Sequence, residues 1–364
     1  MMKTYMKNME KILAVLILLV MVGTLFIQVP KVCAIEANNQ DKALTFLSDV
    51  VKLDMSLYTV KLGSQFVDFP PHWNGMSEEV IQYDLDWKNE SILYVTCRFR
   101  DNQLYGCSII ASRGSPIYVE PQITNAVDSA KGILDRYMTY FQATYIKELQ
   151  SVLNTVDTTN TVTTLGNVKL VTSSTIETES KAVIDKFEWI YTVNGVDAPQ
   201  NTFSIFLENG EFSSLGDNWD LYKIGSSYVN ISQEEAIAIA KKTANDYTLM
   251  IMLDDWVEVS FNLKEEPVAA ELFMYPRGDL TVFPFWRIEL YFDKYYYSTY
   301  GLQVGIWADT GEIAYCYDLS AGGGPINEKA DLPQANNTNM YILAVIATSI
   351  AVASVAVIIM LRKK

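Results

Sequence analysis

The stretch ISQEEAIAIA, residues 231–240, gives the clearest start of a helix in this chain of 364 residues. Ser232 can accept a hydrogen bond from the backbone of the first turn, and Glu235 three residues later completes a capping box. Ala236 and Ala240 recur at helical spacing and leave a face of small side chains that can lie close to a sheet. The stretch therefore predicts a helix that packs on a β-sheet.

Strands are predicted after this helix, because apolar and polar residues alternate through several short runs. These runs are 257–263, 286–292, 302–308 and 313–317. The turn-forming residues 309–312 separate the last two runs. A helix followed by antiparallel strands makes a layered unit, with the helix on one face of the sheet.

The same order of a helix and then strands occurs twice earlier in the chain. Apolar residues at helical spacing predict helices over about 41–53 and 124–153. Alternating residues, and the Asn-Gly hairpin turns at 194–195 and 209–210, predict strands after each helix. The strand runs are 81–87, 92–99, 104–110, 187–193 and 202–207. The predicted fold class is therefore α+β. Its helix plus antiparallel β-meander modules span 35–120, 121–228 and 229–320.

Both ends of the chain carry apolar segments with basic flanks. Residues 1–34 have a basic head, an apolar middle and a small-residue exit, which predicts a signal peptide, with an N-terminal anchor as the alternative. Residues 340–361 carry no charge and predict a C-terminal transmembrane helix. A flexible stalk, 321–339, precedes it, and the basic tail 362–364 should stay in the cytoplasm. We therefore predict a single-pass protein of the cell membrane with its modules outside the cell.

Composition and motifs argue against several functions. A net charge of −15 argues against a nucleic-acid binder, which needs a basic surface. The chain has a single histidine, His72, which excludes sites built from several imidazoles, including most catalytic zinc sites. His72 lies in a Pro-rich run that predicts a surface loop. Asp309-Thr310-Gly311 spells the triplet of aspartic proteases, but those enzymes need two carboxylates, and no second triplet occurs. A tight turn explains the triplet, so no catalytic, metal or cofactor site is predicted and the protein is not expected to be an enzyme.

The third module resembles the PepSY domain family. The likeness is carried by the helix start at 231–240, by Trp286-Arg287-Ile288-Glu289-Leu290, and by the last strands, 304–313, which contain Ala308-Asp309-Thr310-Gly311-Glu312-Ile313. Residues 181–226 are more weakly similar to the region that precedes PepSY in the propeptides of thermolysin-like proteases. The resemblance implies a PepSY/cystatin-like module.

PepSY domains in propeptides are associated with chaperoning and inhibiting a linked protease. No metalloprotease domain follows here, because the motif His-Glu-x-x-His is absent. The resemblance therefore implies a free-standing protein that binds or restrains a surface peptidase or another envelope protein. The alternative is a structural or sensory cell-envelope protein without enzymatic activity.

Two further sets of residues could be modified covalently. If 101–103 forms a hairpin loop, Cys97 and Cys107 face each other across the strands, so a disulfide is reasonable in an exported protein, with a free buried pair as the alternative. Asn89, Asn230 and Asn336 begin glycosylation sequons.

Among the aromatic residues, the strand tryptophans are expected in the core. Tyr295–Tyr297 and the insert 268–275 are better candidates for exposed apolar surface.

Overall fold

The computed structural model describes residues 38–321 apart from 71–72, 122, 124, 179 and 253–254. Strands make up 52% and helices 18% of the structure, so the protein is mostly β. The prediction of an α+β fold is therefore wrong. In place of independent helix-and-meander modules, the described residues form one 14-stranded mixed sheet and one two-stranded sheet.

The helices and strands have the following bounds. The helices are α1 Asn39–Thr45, a π-helix Phe46–Val51, α2 Ala126–Phe141, α3 Ile146–Leu153 and α4 Gln233–Asn245. The strands are β1 Thr59–Asp68, β2 Glu78–Trp87, β3 Ser91–Arg100, β4 Gln103–Arg113, β5 Val162–Leu165, β6 Val168–Ile176, β7 Val183–Val193, β8 Val196–Glu208, β9 Glu211–Asp217, β10 Lys223–Ile224, β11 Leu249–Met252, β12 Trp256–Val259, β13 Leu263–Pro276, β14 Thr281–Tyr296, β15 Thr299–Trp307 and β16 Ile313–Ser320.

Two pairings between distant strands merge the predicted strand runs into one sheet. The main path runs β1-β2-β3-β4-β9-β8-β13-β14-β15-β16, and β7, β6 and β5 branch from β8. β4 pairs antiparallel with β9, and β8 pairs parallel with β13 where Asp197 lies opposite Phe273. These pairings are the physical reason for the corrected fold class, because each joins backbone groups that local sequence patterns assign to separate modules.

The structure has one large hydrophobic core in its N-terminal part and a second in its C-terminal part. The first includes buried residues from Ala43 to Trp219, so α1, the π-helix, α2 and α3 pack on shared strands. Trp189 is fully buried there, and its indole N–H donates to the Leu149 carbonyl at 3.0 Å. The second core lies between α4 and strands β13 to β15.

The helix at residue 233 begins as the sequence predicts. The Ser232 hydroxyl accepts from the Glu235 backbone N–H at 3.2 Å, and the Glu235 carboxylate accepts from the Ser232 N–H at 2.8 Å. Ala236, Ala240 and Ala244 are buried against the sheet. The small-residue face therefore lets the helix backbone approach the strands closely.

The second predicted helix, over 124–153, is two helices in the structure. Gln142 has a left-handed backbone, with φ of 57°, and its N–H closes α2 by donating to the Met138 carbonyl at 3.0 Å. The break allows α3 to turn, so that Ile146 and Leu149 also reach the core. A continuous apolar stripe therefore predicts burial correctly but does not predict the break.

The structure contradicts the predicted single-pass membrane protein. Within the described part of the chain, no helix has the length and apolar character needed to cross a membrane. The segments 1–34 and 340–361, from which that prediction came, lie outside the described residues, as do the tail 362–364 and nearly all of the stalk 321–339.

Candidate functional site

β1 forms one edge of the large sheet and is the most exposed strand in it. β2 is its one partner among the described residues, so its outer row of backbone N–H and C=O groups faces away from the sheet. Every residue of β1 except Ser64 is exposed. Over ten residues, at a rise of ~3.3 Å per residue, the edge is about 33 Å long.

Apolar side chains project from both faces of this edge. Phe66 lies opposite Val80 and is 51% exposed, and Val67 lies opposite Glu79 and is 56% exposed. Successive residues of a strand point to opposite faces, so these two side chains flank the edge. Natural proteins usually protect edges with short strands or charges, whereas β1 is long and has charges only at Lys61 and Asp68.

Side-chain hydrogen bonds hold β1 in place. Gln65 accepts from the Gln40 amide at 2.6 Å and donates its own amide to Glu79, while the Ser64 hydroxyl donates to Gln82 at 2.7 Å. The strand is therefore fixed in register before any partner binds.

The aromatic segments that the sequence suggests as exposed surface are largely packed on each other. Phe273 is buried, and the Tyr275 ring stacks on the Phe285 ring with centroids 4.8 Å apart. Gly305 lies beneath the Phe285 ring, where an added Cβ would be 2.4 Å from a ring carbon. Tyr297 is exposed, at the turn between β14 and β15. Most of the aromatic side chains that were predicted to form exposed surface thus pack against other rings, on the face of the sheet opposite α4.

Asp309 is committed to an ion pair. Arg277 donates from both terminal nitrogens, at 3.0 and 2.5 Å to the two carboxylate oxygens. The guanidinium lies on the Phe283 ring, 3.8 Å from its centroid. Gly311 has a φ of 78° and closes the turn by donating its N–H to the Trp307 carbonyl at 2.7 Å. The partner of Asp309 is thus a cation, whereas an aspartic protease site needs a second carboxylate.

Cys97 and Cys107 are opposite each other in the β3–β4 ladder, as the sequence predicts. Their sulfur atoms are 3.5 Å apart, so both are free, buried thiols. Burial raises the pKa of the Cys107 thiol well above its ordinary value. The turn that brings the two cysteines opposite each other differs from the expected three-residue loop. A two-residue turn at Asp101 and Asn102 is followed by an irregularity in pairing between Phe99 and Arg98.

The other predicted sites are dispersed. Asn89 is exposed in the β2–β3 turn, and the Asn230 amide donates to the Asp309 carbonyl at 2.8 Å. His72 and Asn336 lie outside the described residues. Across the described ranges, no three His, Cys, Asp or Glu side chains gather as a metal-ligand set.

Sequence reasoning missed a buried polar cluster around Asp217. Its carboxylate accepts from the Tyr137 hydroxyl at 2.7 Å, from the Tyr145 hydroxyl and from the Trp219 N–H at 3.1 Å. Burial raises the pKa of Asp217. The three donors come from α2, from the α2–α3 connection and from the segment after β9, so the cluster ties the helices to the sheet. No motif marks these residues in the sequence.

No family model matches this chain, and no curated protein matches it. The PepSY resemblance of the third module therefore stays a prediction.

Proposed function

We propose that this protein is a non-enzymatic, PepSY-like binding protein that restrains a peptidase by pairing its β1 edge with an extended segment of that partner. The observation that carries the binding part is the long, exposed and apolar β1 edge. The peptidase part rests on the PepSY resemblance of residues 229–320.

An extended peptide that adds to a sheet edge gains its affinity mainly from backbone hydrogen bonds. Side chains on the two faces of the edge then select the partner. Here Phe66 and Val67 offer one apolar contact on each face, and the side-chain bonds of Gln65 hold the strand in an extended form. A fixed strand reduces the ordering cost of binding.

The test uses the full chain as bait in an extract of the cells that produce it. We expect it to capture a peptidase and to slow that enzyme's hydrolysis of a fluorogenic peptide. Val67→Lys should reduce both effects, because a lysine at an edge opposes strand addition. Val162→Lys is the matched control, since Val162 is also exposed, at 64%, but lies on β5.

Two outcomes would overturn the proposal. Capture without any slowed peptidase would remove the peptidase part and favour the structural or sensory alternative. Equal capture by the Val67→Lys and Val162→Lys variants would remove the β1 edge as the binding surface.

A further inference from the structure

A groove of about 710 Å³ lies where α1, the π-helix and α2 meet the β3–β4 turn. Its volume falls within the range of ~300–1,000 Å³ that is usual for small-molecule sites. Its walls combine the cations Lys42, Lys52 and Arg136 with the apolar surfaces of Leu104 and Phe141. Its lining contains no residue of β1, to which the proposed function is assigned.

The gathering of cations is unusual for this chain, which has 43 acidic and 28 basic residues. Lys42 comes from α1, Lys52 follows the π-helix, and Arg136 comes from α2, while Asp49 is the one acidic residue of the lining. None of the three cations takes part in an ion pair within the described residues. The groove therefore has positive charge that the described part of the protein does not neutralise by direct contact.

The π-helix fixes one of these cations. A π-helix shifts the backbone hydrogen-bond pattern, and the Arg136 Nε donates to the Val50 carbonyl at 2.7 Å. In the described residues the two terminal nitrogens of Arg136 make no hydrogen bond, although Glu120 and Asp135 lie near enough to attract the charge of the guanidinium. Arg136 is half-buried, and a partly desolvated guanidinium gains more from an anion than an exposed one does.

Lys52 is held in an uncommon backbone conformation at the end of the π-helix. Its φ is 69°, in the left-handed region, and its N–H donates to the Leu47 carbonyl. Non-glycine residues in this region and π-helical turns are both found preferentially at functional sites. Lys52 and Arg136 also line an adjoining cavity of about 60 Å³, so the two side chains stand between the two spaces.

We infer that this groove binds a small organic carboxylate, with its anionic group among Lys42, Lys52 and Arg136 and its apolar body against Leu104 and Phe141. Carboxylates suit this set because the guanidinium offers parallel donors and the two ammonium groups add charge. The apolar wall favours a ligand with a hydrocarbon or aromatic body over a bare inorganic anion.

The test measures binding of benzoate and octanoate to the full chain by titration calorimetry, with benzamide and octanol as uncharged counterparts. We expect the two carboxylates to bind and their counterparts to bind at least about fivefold more weakly, because an ion contact at a half-exposed site is worth a few-fold in affinity. Lys52→Gln removes one of the three cations and should weaken carboxylate binding by about two- to fivefold. Lys61→Gln is the matched control, since Lys61 is an exposed cation on β1.

Three results would overturn the inference: no carboxylate binding, equal binding of the charged and uncharged compounds, or a Lys52→Gln variant that binds as the Lys61→Gln variant does. The Val67→Lys variant should keep full carboxylate binding. The inference and the proposed function can therefore fail separately.

Discussion

Arg277 donates hydrogen bonds from its two terminal nitrogens to the two carboxylate oxygens of Asp309, at 3.0 and 2.5 Å. The two residues are 32 positions apart in the sequence. The pair joins the end of β13 to the turn between β15 and β16. A bidentate ion pair of this kind is stronger than a single hydrogen bond. The aromatic rings beneath Arg277 also limit its contact with water.

We expect Asp309→Asn to lower the free energy of unfolding by about 1–2 kcal/mol, because one charged partner is lost and the pair is partly exposed. Urea unfolding measures the change. Asp279→Asn is the control, since Asp279 is an exposed carboxylate in the same region. Equal stability of the two variants would show that the ion pair contributes nothing to folding. Loss of a hydrolytic activity in Asp309→Asn would show that Asp309 has a catalytic role besides its ion pair with Arg277.

Gly305 should not tolerate a methyl group. Gly305→Ala would place a Cβ 2.4 Å from the Phe285 ring and 2.6 Å from the Tyr315 ring, so the aromatic packing must shift. We expect a loss of about 2–3 kcal/mol in the free energy of unfolding. Gly63→Ala on β1 is the control, because its nearest atom lies at 3.4 Å, an ordinary contact. Thermal unfolding of both variants measures the difference in stability between Gly305→Ala and Gly63→Ala. Equal stability of the two variants would mean that the rings around Gly305 are loosely packed.

Asp217 should make stability depend on pH in a definite direction. Burial raises its pKa above the ordinary value of 3.8, so between that value and the raised pKa the folded state binds more protons than the unfolded state. Protonated Asp217 therefore adds to the free energy of unfolding at low pH, and this stabilisation is lost as the pH rises through that window. We expect the stability of Asp217→Asn relative to the unaltered protein to increase from pH 4 to pH 7.

Urea unfolding at several pH values measures this difference for Asp217. Asp157→Asn, at an exposed site, is the control. A difference between Asp217→Asn and the unaltered protein that stays constant with pH would mean that the carboxylate does not change its protonation within this window.

The three described cysteines should differ in reactivity. Cys97 and Cys107 are buried thiols, whereas Cys316 is half-buried. Burial raises the pKa of both Cys107 and Cys316, so access decides the order, and we expect iodoacetamide to modify the half-buried Cys316 first and the pair only when the protein unfolds. Mass spectrometry of peptides from native and denatured samples, without reductant, separates the possibilities. A disulfide would leave Cys97 and Cys107 unmodified even after denaturation.

Local features of this fold could be predicted from the sequence, because they depend on residues that are close in the chain. The capping box of Ser232 and Glu235 and the Asn-Gly turns at 194–195 and 209–210 all form as expected. The opposition of Cys97 and Cys107 was also predicted, although the turn that produces it has two residues instead of three.

Features that depend on distant pairing were not predicted. β1 has weak alternation, and Gly63 lies at an irregularity in its pairing with β2, so its strand pattern is faint. The pairing of β8 with β13 creates no local pattern at all. The cations of the carboxylate groove come from positions 42, 52 and 136, and their meeting depends on how α2 packs against the π-helix. Sequence spacing therefore could not indicate the groove.

The β4–β9 pairing also means that, during synthesis, β4 is made well before the strand with which it pairs. Cys107 lies opposite Leu215, so β4 leaves the ribosome about 100 residues before the strand that completes its ladder. At ~5–20 residues per second, the inner edge of β4 stays unpaired for about 5–20 s. During that interval its apolar residues can pair with another nascent chain. Slower translation between these two strands should therefore lower the yield of folded protein, and chaperones that cover exposed strands should raise it.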